Sequence, residues 1–127
     1  MMKILALITG GAIGTLLRYG LSGWTYKFFD EVFPWGTLFV NLVSAFLVGF
    51  LWSLFEGWIV SPNTRIFIFI GILGGFSTFS SYVLETINLA REGEAALALS
   101  NIIISNVVGI VLVYLGMITA RYVIKLV

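Results

Sequence analysis

The stretch "GILGGFSTFSSYVLE", residues 71–85, decides how this chain is read. It sets two adjacent glycines, Gly74 and Gly75, beside the hydroxyls of Ser77, Thr78, Ser80, Ser81 and Tyr82 and the carboxylate of Glu85. Apolar sequence surrounds it on both sides. Of the 127 residues, 60% are hydrophobic and 10% charged, and the mean hydropathy is +1.08. A soluble domain carries about 25% charged residues, so composition alone points to a membrane protein. Polar groups crowded into the middle of an apolar segment then need a reason. Each of two neighbouring glycines weakens a helix by about 1 kcal/mol relative to alanine. The hydroxyls of Ser77, Thr78, Ser80 and Ser81 can bond to freed backbone groups and bend or break the helix. Broken helices persist in a bilayer only where they are buried in protein or line a watery cavity. The stretch is therefore read as a site: exposed carbonyls at such a break suit a cation, and half-helix N-termini suit an anion.

Working outward, a spanning helix needs roughly 20 apolar residues. Windows at about residues 3–24, 34–56, 65–89 and 95–124 qualify. Pro34 opens the second as a good first-turn residue. The linkers "KFFDEVFP", "EGWIVSPNTR" and "REGE" carry the charge and the turn formers. No repeat, low-complexity segment or second domain is visible, so residues 1–127 read as a single four-span domain. The opening "MMKILALITGGAIGTLLRYG" has a lysine and an apolar run, but no A-x-A cleavage pattern follows, and it reads as a retained first span. The expected fold is an all-α membrane protein with four transmembrane helices, the third broken near its middle.

Composition also removes function classes. Histidine and cysteine are absent, which excludes disulfides, thiolate metal sites and imidazole proton relays. A net charge of +1 leaves no basic footprint for nucleic acid. No nucleophile–base pair or metal-ligand set is visible, so an enzyme is not expected.

Orientation should follow the Lys/Arg bias of the short loops. Both termini and the middle loop share one side, which holds Lys3, Arg65, Arg121 and Lys125. The other side holds Lys27 and Arg91, with Arg18 when it faces that way. So small a bias leaves two readings open: one fixed topology, or insertion both ways followed by antiparallel pairing. Four short helices do not readily enclose a wet pathway while shielding polar groups from lipid. An oligomer solves this, and closed twofold dimers are the commonest.

Each polar group at membrane depth is a site hypothesis. Arg18, near the end of the first span, either snorkels to the interface or places positive charge at the mouth of an anion pathway. Gly10, Gly11 and Gly14 before it let helices approach closely. In "PWGTLFVNLVSAFLVG", Thr37, Asn41 and Ser44 share one helical face. The Asn41 amide needs partners there, as interhelical glue or as a donor to a permeating anion. Phe79 and Tyr82 lie three residues apart on the resumed third helix, and Glu85 continues that face. Ring edges are positive and can meet a small anion, although paired aromatics also serve as core. Asn101 and Ser105 share a face in the fourth span, loosely extended by Asn106 and Gly109. They read as a polar track or as interhelical hydrogen bonds.

With these residues in place, the chain resembles the Fluc (CrcB) fluoride channels. "GGAIGTLLRYG", "PWGTLFVNLVSAFLVG" and "GGFSTFSSYVLE" carry the resemblance, in that order over the whole chain. The resemblance implies an antiparallel, dual-topology homodimer in the plasma (inner) membrane of a microorganism. It implies two pores that pass fluoride selectively and passively out of the cell, relieving fluoride toxicity. It also implies one structural sodium ion at the dimer centre, held by the Gly74 and Ser77 carbonyls of both subunits. By position, Asn41 matches the pore-lining asparagine, and Phe79 and Tyr82 match the two phenylalanines of an aromatic box. Glu85, Thr37, Ser105 and Arg18 match the family's acidic residue, threonine, polar-track serine and first-span arginine. Ser81 is placed with them on the fluoride pathway. Tyr82 in place of phenylalanine is a departure that keeps the positive ring edge and adds a hydroxyl donor. Asn101 stands where relatives often have tyrosine, which implies a differently arranged polar track. Heterodimeric members exist, but nearly intact pore residues favour the homodimer here.

The competing reading is a small multidrug-type, dual-topology, proton-coupled exporter. That chemistry needs a carboxylate deep in the membrane, usually in the first span, where this chain has Arg18 and no acid. A purely structural membrane subunit is a further alternative.

Overall fold

The apolar windows are helices whose ends fall where the apolar runs stop. In the computed structural model, which describes residues 1–126, α1 covers Met2–Thr25 and α2 covers Trp35–Glu56. The third span, Pro62–Arg91, is assembled from pieces. These are α3 (Pro62–Arg65), a π-helical stretch (Ile66–Leu73), α4 (Gly74–Phe76) and α5 (Phe79–Arg91). The fourth span, Ala95–Leu126, comprises α6 (Ala95–Ile103), a second π-helical stretch (Ile104–Val108) and α7 (Gly109–Leu126). All four spans are long and apolar enough to cross a membrane, and no strand occurs among the described residues. The chain is a multi-pass membrane protein. Val127, the last residue of the expected domain, lies outside the described residues.

Local chemistry sets the ends. Ser61 caps α3 by accepting the Thr64 N–H at 3.1 Å, with Pro62 in the first turn, where its missing N–H costs nothing. Pro34 is the residue before α2 rather than its first turn, and its carbonyl accepts the Leu38 N–H at 3.0 Å. Gly93, at φ 85°, takes the left-handed conformation that reverses the chain between α5 and α6.

The third span is broken, but not at its glycines. Gly74 is helical, with φ −66° and ψ −35°. The chain turns extended one step later, at Ser77 (φ −79°, ψ 157°) and Thr78 (φ −148°, ψ 114°). The glycines serve packing instead. A methyl at Gly75 would lie 2.7 Å from the Gly11 carbonyl oxygen, and one at Gly71 would lie 2.9 Å from the Gly10 Cα. Gly14 likewise sits against the Ile72 carbonyl. The tightest pairings are α1 with the third span and α2 with α7. Gly49 abuts the Val113 backbone in the second pair, and Gly116 abuts Phe46 and Phe50. Small residues at such crossings let van der Waals contact replace the hydrophobic drive that lipid does not supply.

A satellite core of Phe33, Leu38, Leu89 and Ala98 joins the start of α2 to the end of α5 and the start of α6. It packs against the C-terminal part of the broken span. Gly116→Ala would put a methyl 2.7 Å from the Phe50 nitrogen. Overpacking of this kind costs about 1–3 kcal/mol. Thermal unfolding in detergent should fall for Gly116→Ala, whereas Gly109→Ala, which meets open space, should be neutral or stabilising.

Candidate functional site

The break exposes backbone groups, and α2 supplies their partner. Asn41 donates from Nδ2 to the Thr78 carbonyl at 3.0 Å, and its Oδ1 accepts the Thr78 N–H at 2.8 Å. One amide thus satisfies both backbone groups of one extended residue. A continuous helix would have given the Thr78 N–H to the Gly74 carbonyl, so Asn41 takes the donor that Gly74 would otherwise receive.

The resumed helix starts as the hydroxyls require. Thr78 caps α5, its side chain accepting the Ser81 N–H at 3.3 Å and donating to Ser81 Oγ at 3.0 Å. Ser77 turns back, its Oγ donating to the Leu73 carbonyl at 2.9 Å. Phe79 and Tyr82 then stand together, ring centroids 5.7 Å apart and planes tilted 50°. Phe79 is 77% exposed, so its side of the pair is open. One turn on, Glu85 swings to α2 and accepts the Thr37 hydroxyl at 2.7 Å, while its Oε2 is buried without a partner.

These residues divide between two clefts. The larger, about 890 Å³, is lined by Arg18, Thr37, Ser81 and Glu85, with Lys27 and Tyr26 at its wall. The smaller, about 430 Å³, is lined by Asn41, Gly74, Ser77 and Phe79. Thr78 lines both. Arg18 is therefore grouped with the carboxylate and hydroxyls of the first cleft, not with Asn41 and Phe79. Arg18 and Lys27 thus share that cleft with the single carboxylate of Glu85.

Tyr82 and Ser105 line neither cleft and belong to a chain of hydrogen bonds reaching the fourth span. Buried Asn101 donates to Thr86 Oγ1 at 2.9 Å, and Thr86 donates to the Tyr82 carbonyl at 2.7 Å. Ser105 Oγ donates to Asn101 Oδ1 at 3.4 Å. Asn106 donates to the Tyr82 hydroxyl oxygen at 3.1 Å. Thr86 went unread in the sequence, because a lone threonine on an apolar helix gives no signal. Thr78 bonds a freed backbone group, as the clustered hydroxyls suggested, and of the two readings open for Asn106 its contact with Tyr82 is the hydrogen bond between spans. Among the described residues there is no cluster of three or more His, Cys, Asp or Glu that could hold a metal ion.

The family described as "CrcB-like protein, Camphor Resistance (CrcB)" matches residues 5–117. The chain belongs to this CrcB-like family. Among curated relatives, a protein of Parabacteroides distasonis named "Fluoride-specific ion channel FluC" is 46% identical over 127 residues, covering all of this chain and 99% of its own. One of the same name from Pyrococcus horikoshii is 49% identical over 121 residues, covering 94% of this chain and 97% of its own. A third, from Salinibacter ruber, is 46% identical over 116 residues, covering 91% and 87%. Exporter chemistry gains nothing from these CrcB-like relatives, and α1 carries no carboxylate.

Asn41→Leu fills similar space but leaves both Thr78 backbone groups without their partner. Each orphaned group costs about 1–3 kcal/mol. The variant should unfold at clearly lower temperature in detergent, with faster amide exchange around residues 77–79. An unchanged exchange pattern there would show that Asn41 does not hold the break.

Proposed function

We propose that this chain is a fluoride-selective, passive ion channel, carrying fluoride out of the cell and relieving its toxicity. One observation carries the reading: relatives named as fluoride-specific ion channels match nearly end to end at 46–49% identity. The chemistry supports it. Fluoride is small and strongly hydrated, and a channel must replace its water without holding it too tightly. Amide N–H, hydroxyl and ring-edge donors do this with partial charges, whereas a full positive charge deep in the pore would trap the ion. Arg18 and Lys27 stand at the walls of the larger cleft, where they draw anions in. Asn41, Phe79 and Tyr82 supply the deeper donors, with Ser105 beside them on the pathway and Thr37, Ser81 and Glu85 along the approach.

The working unit is an antiparallel homodimer with two pores. The open Phe79 side of the Phe79–Tyr82 pair favours completion by a second copy. The break also fits a structural sodium ion. Asn41 captures the Thr78 N–H, which releases the Gly74 carbonyl from its helical donor, and Ser77 is extended. Gly74 and Ser77 both line the smaller cleft. Their carbonyls, doubled by a second copy, are the hard oxygen donors such a cation takes. Bound there, the ion would add a positive field between the pores.

Fluoride efflux from proteoliposomes, read with a fluoride electrode under a potassium–valinomycin shunt, tests the reading. The unsubstituted protein should pass fluoride and hold back chloride. Loss of a hydrogen bond to a charged group costs about 1.5–3 kcal/mol, or roughly 10–150-fold. Asn41→Asp and Phe79→Ile should slow efflux on that scale. Equal chloride and fluoride leakage, or no fluoride leakage, would overturn the assignment.

A further inference from the structure

Tyr82 is held at both ends by the fourth span, and the way it is held fixes what its hydroxyl can do. Its backbone carbonyl accepts Thr86, which in turn accepts the buried Asn101 amide. Its phenol oxygen meets Asn106. The donor in that last contact is fixed by a second one. The same Asn106 nitrogen lies 2.8 Å from the Ile102 carbonyl oxygen. A carbonyl only accepts, so the atom beside it is the amide NH2. That NH2 also faces the Tyr82 oxygen at 3.1 Å, so the phenol accepts there and keeps its own proton uncommitted. Among the described residues, no group accepts that proton at hydrogen-bond distance.

We propose that Asn106 is a positioning residue which holds the Tyr82 hydroxyl by its oxygen and thereby presents the phenolic proton to the permeating anion. The proposal rests on the fluoride-channel reading. A neutral O–H donor suits a fluoride stop because it replaces hydration without a full charge. Donation into the phenol oxygen polarises the O–H and strengthens it as a donor. Asn106 lies within the π-helical stretch Ile104–Val108. Such wide turns sit frequently at functional sites. Ser105, its neighbour, bonds to Asn101, so the two adjacent residues serve the two ends of the Tyr82 anchorage.

A double-mutant cycle on the full chain tests this. Fluoride efflux from proteoliposomes is measured for the unsubstituted protein, Tyr82→Phe, Asn106→Leu and the double variant. A hydrogen bond of ordinary strength corresponds to about two- to tenfold in rate. Each single change should slow efflux by that factor, and the two together should slow it no more than Tyr82→Phe alone. Asn106→Asp should slow it at least as much as Asn106→Leu, because a carboxylate accepts the phenolic proton and withdraws it from the anion. Asn106→Ala repeats the cycle should the leucine variant fail to fold. Independent, multiplicative losses would overturn the proposal, as would unchanged efflux in Asn106→Leu. An unsubstituted protein that passes no fluoride would instead overturn the channel reading itself.

Discussion

A polypeptide that leaves helical geometry inside a bilayer must find new partners for its N–H and C=O groups, because lipid offers none. The Asn41 amide meets that requirement for Thr78, donor to acceptor and acceptor to donor. The local geometry of the break follows from this pairing. It releases the Gly74 carbonyl and lets Thr78 serve as the cap of α5. It also fixes where Phe79, Tyr82 and Glu85 emerge. An amide can do this where a carboxylate or a hydroxyl cannot, since only the amide offers a donor and an acceptor side by side.

The amide works because the surrounding helices are held in place by contacts of a different kind. Glycines bring α1 against the third span and α2 against α7 at backbone distance. Close approach of this sort fixes each pair of helices as a unit, and the Asn41–Thr78 pairing then ties one unit to the other. Thr37 and Glu85 add a second tie between α2 and α5, four residues earlier on α2 than Asn41.

Much of this architecture was legible in the residues. Long apolar runs located the spans to within a few positions, because transfer into lipid is summed over roughly 20 residues and tolerates local exceptions. Clustered hydroxyls located the break in the third span. The glycines beside them misled by a few residues: Gly74 and Gly75 look like helix breakers, yet Gly74 stays helical and Gly75 serves as a contact surface. Spacing also placed Thr37 and Asn41 on one face, but could not separate their partners, a carboxylate for one and a peptide group for the other. The π-helical stretches Ile66–Leu73 and Ile104–Val108 were not legible at all. Apolar residues fill the first completely, so no period distinguishes its winding from an α-helix.

The pairing of spans has a consequence for biogenesis. The tightest contacts join the first span to the third and the second to the fourth, so neighbours in sequence are not the principal neighbours in space. During synthesis, α1 enters the bilayer before its glycine face has a counterpart, and α2 waits until α7 has left the ribosome. The first span can pair once the third has emerged, so it is the packing of α2 against α7 that is deferred to the end of translation.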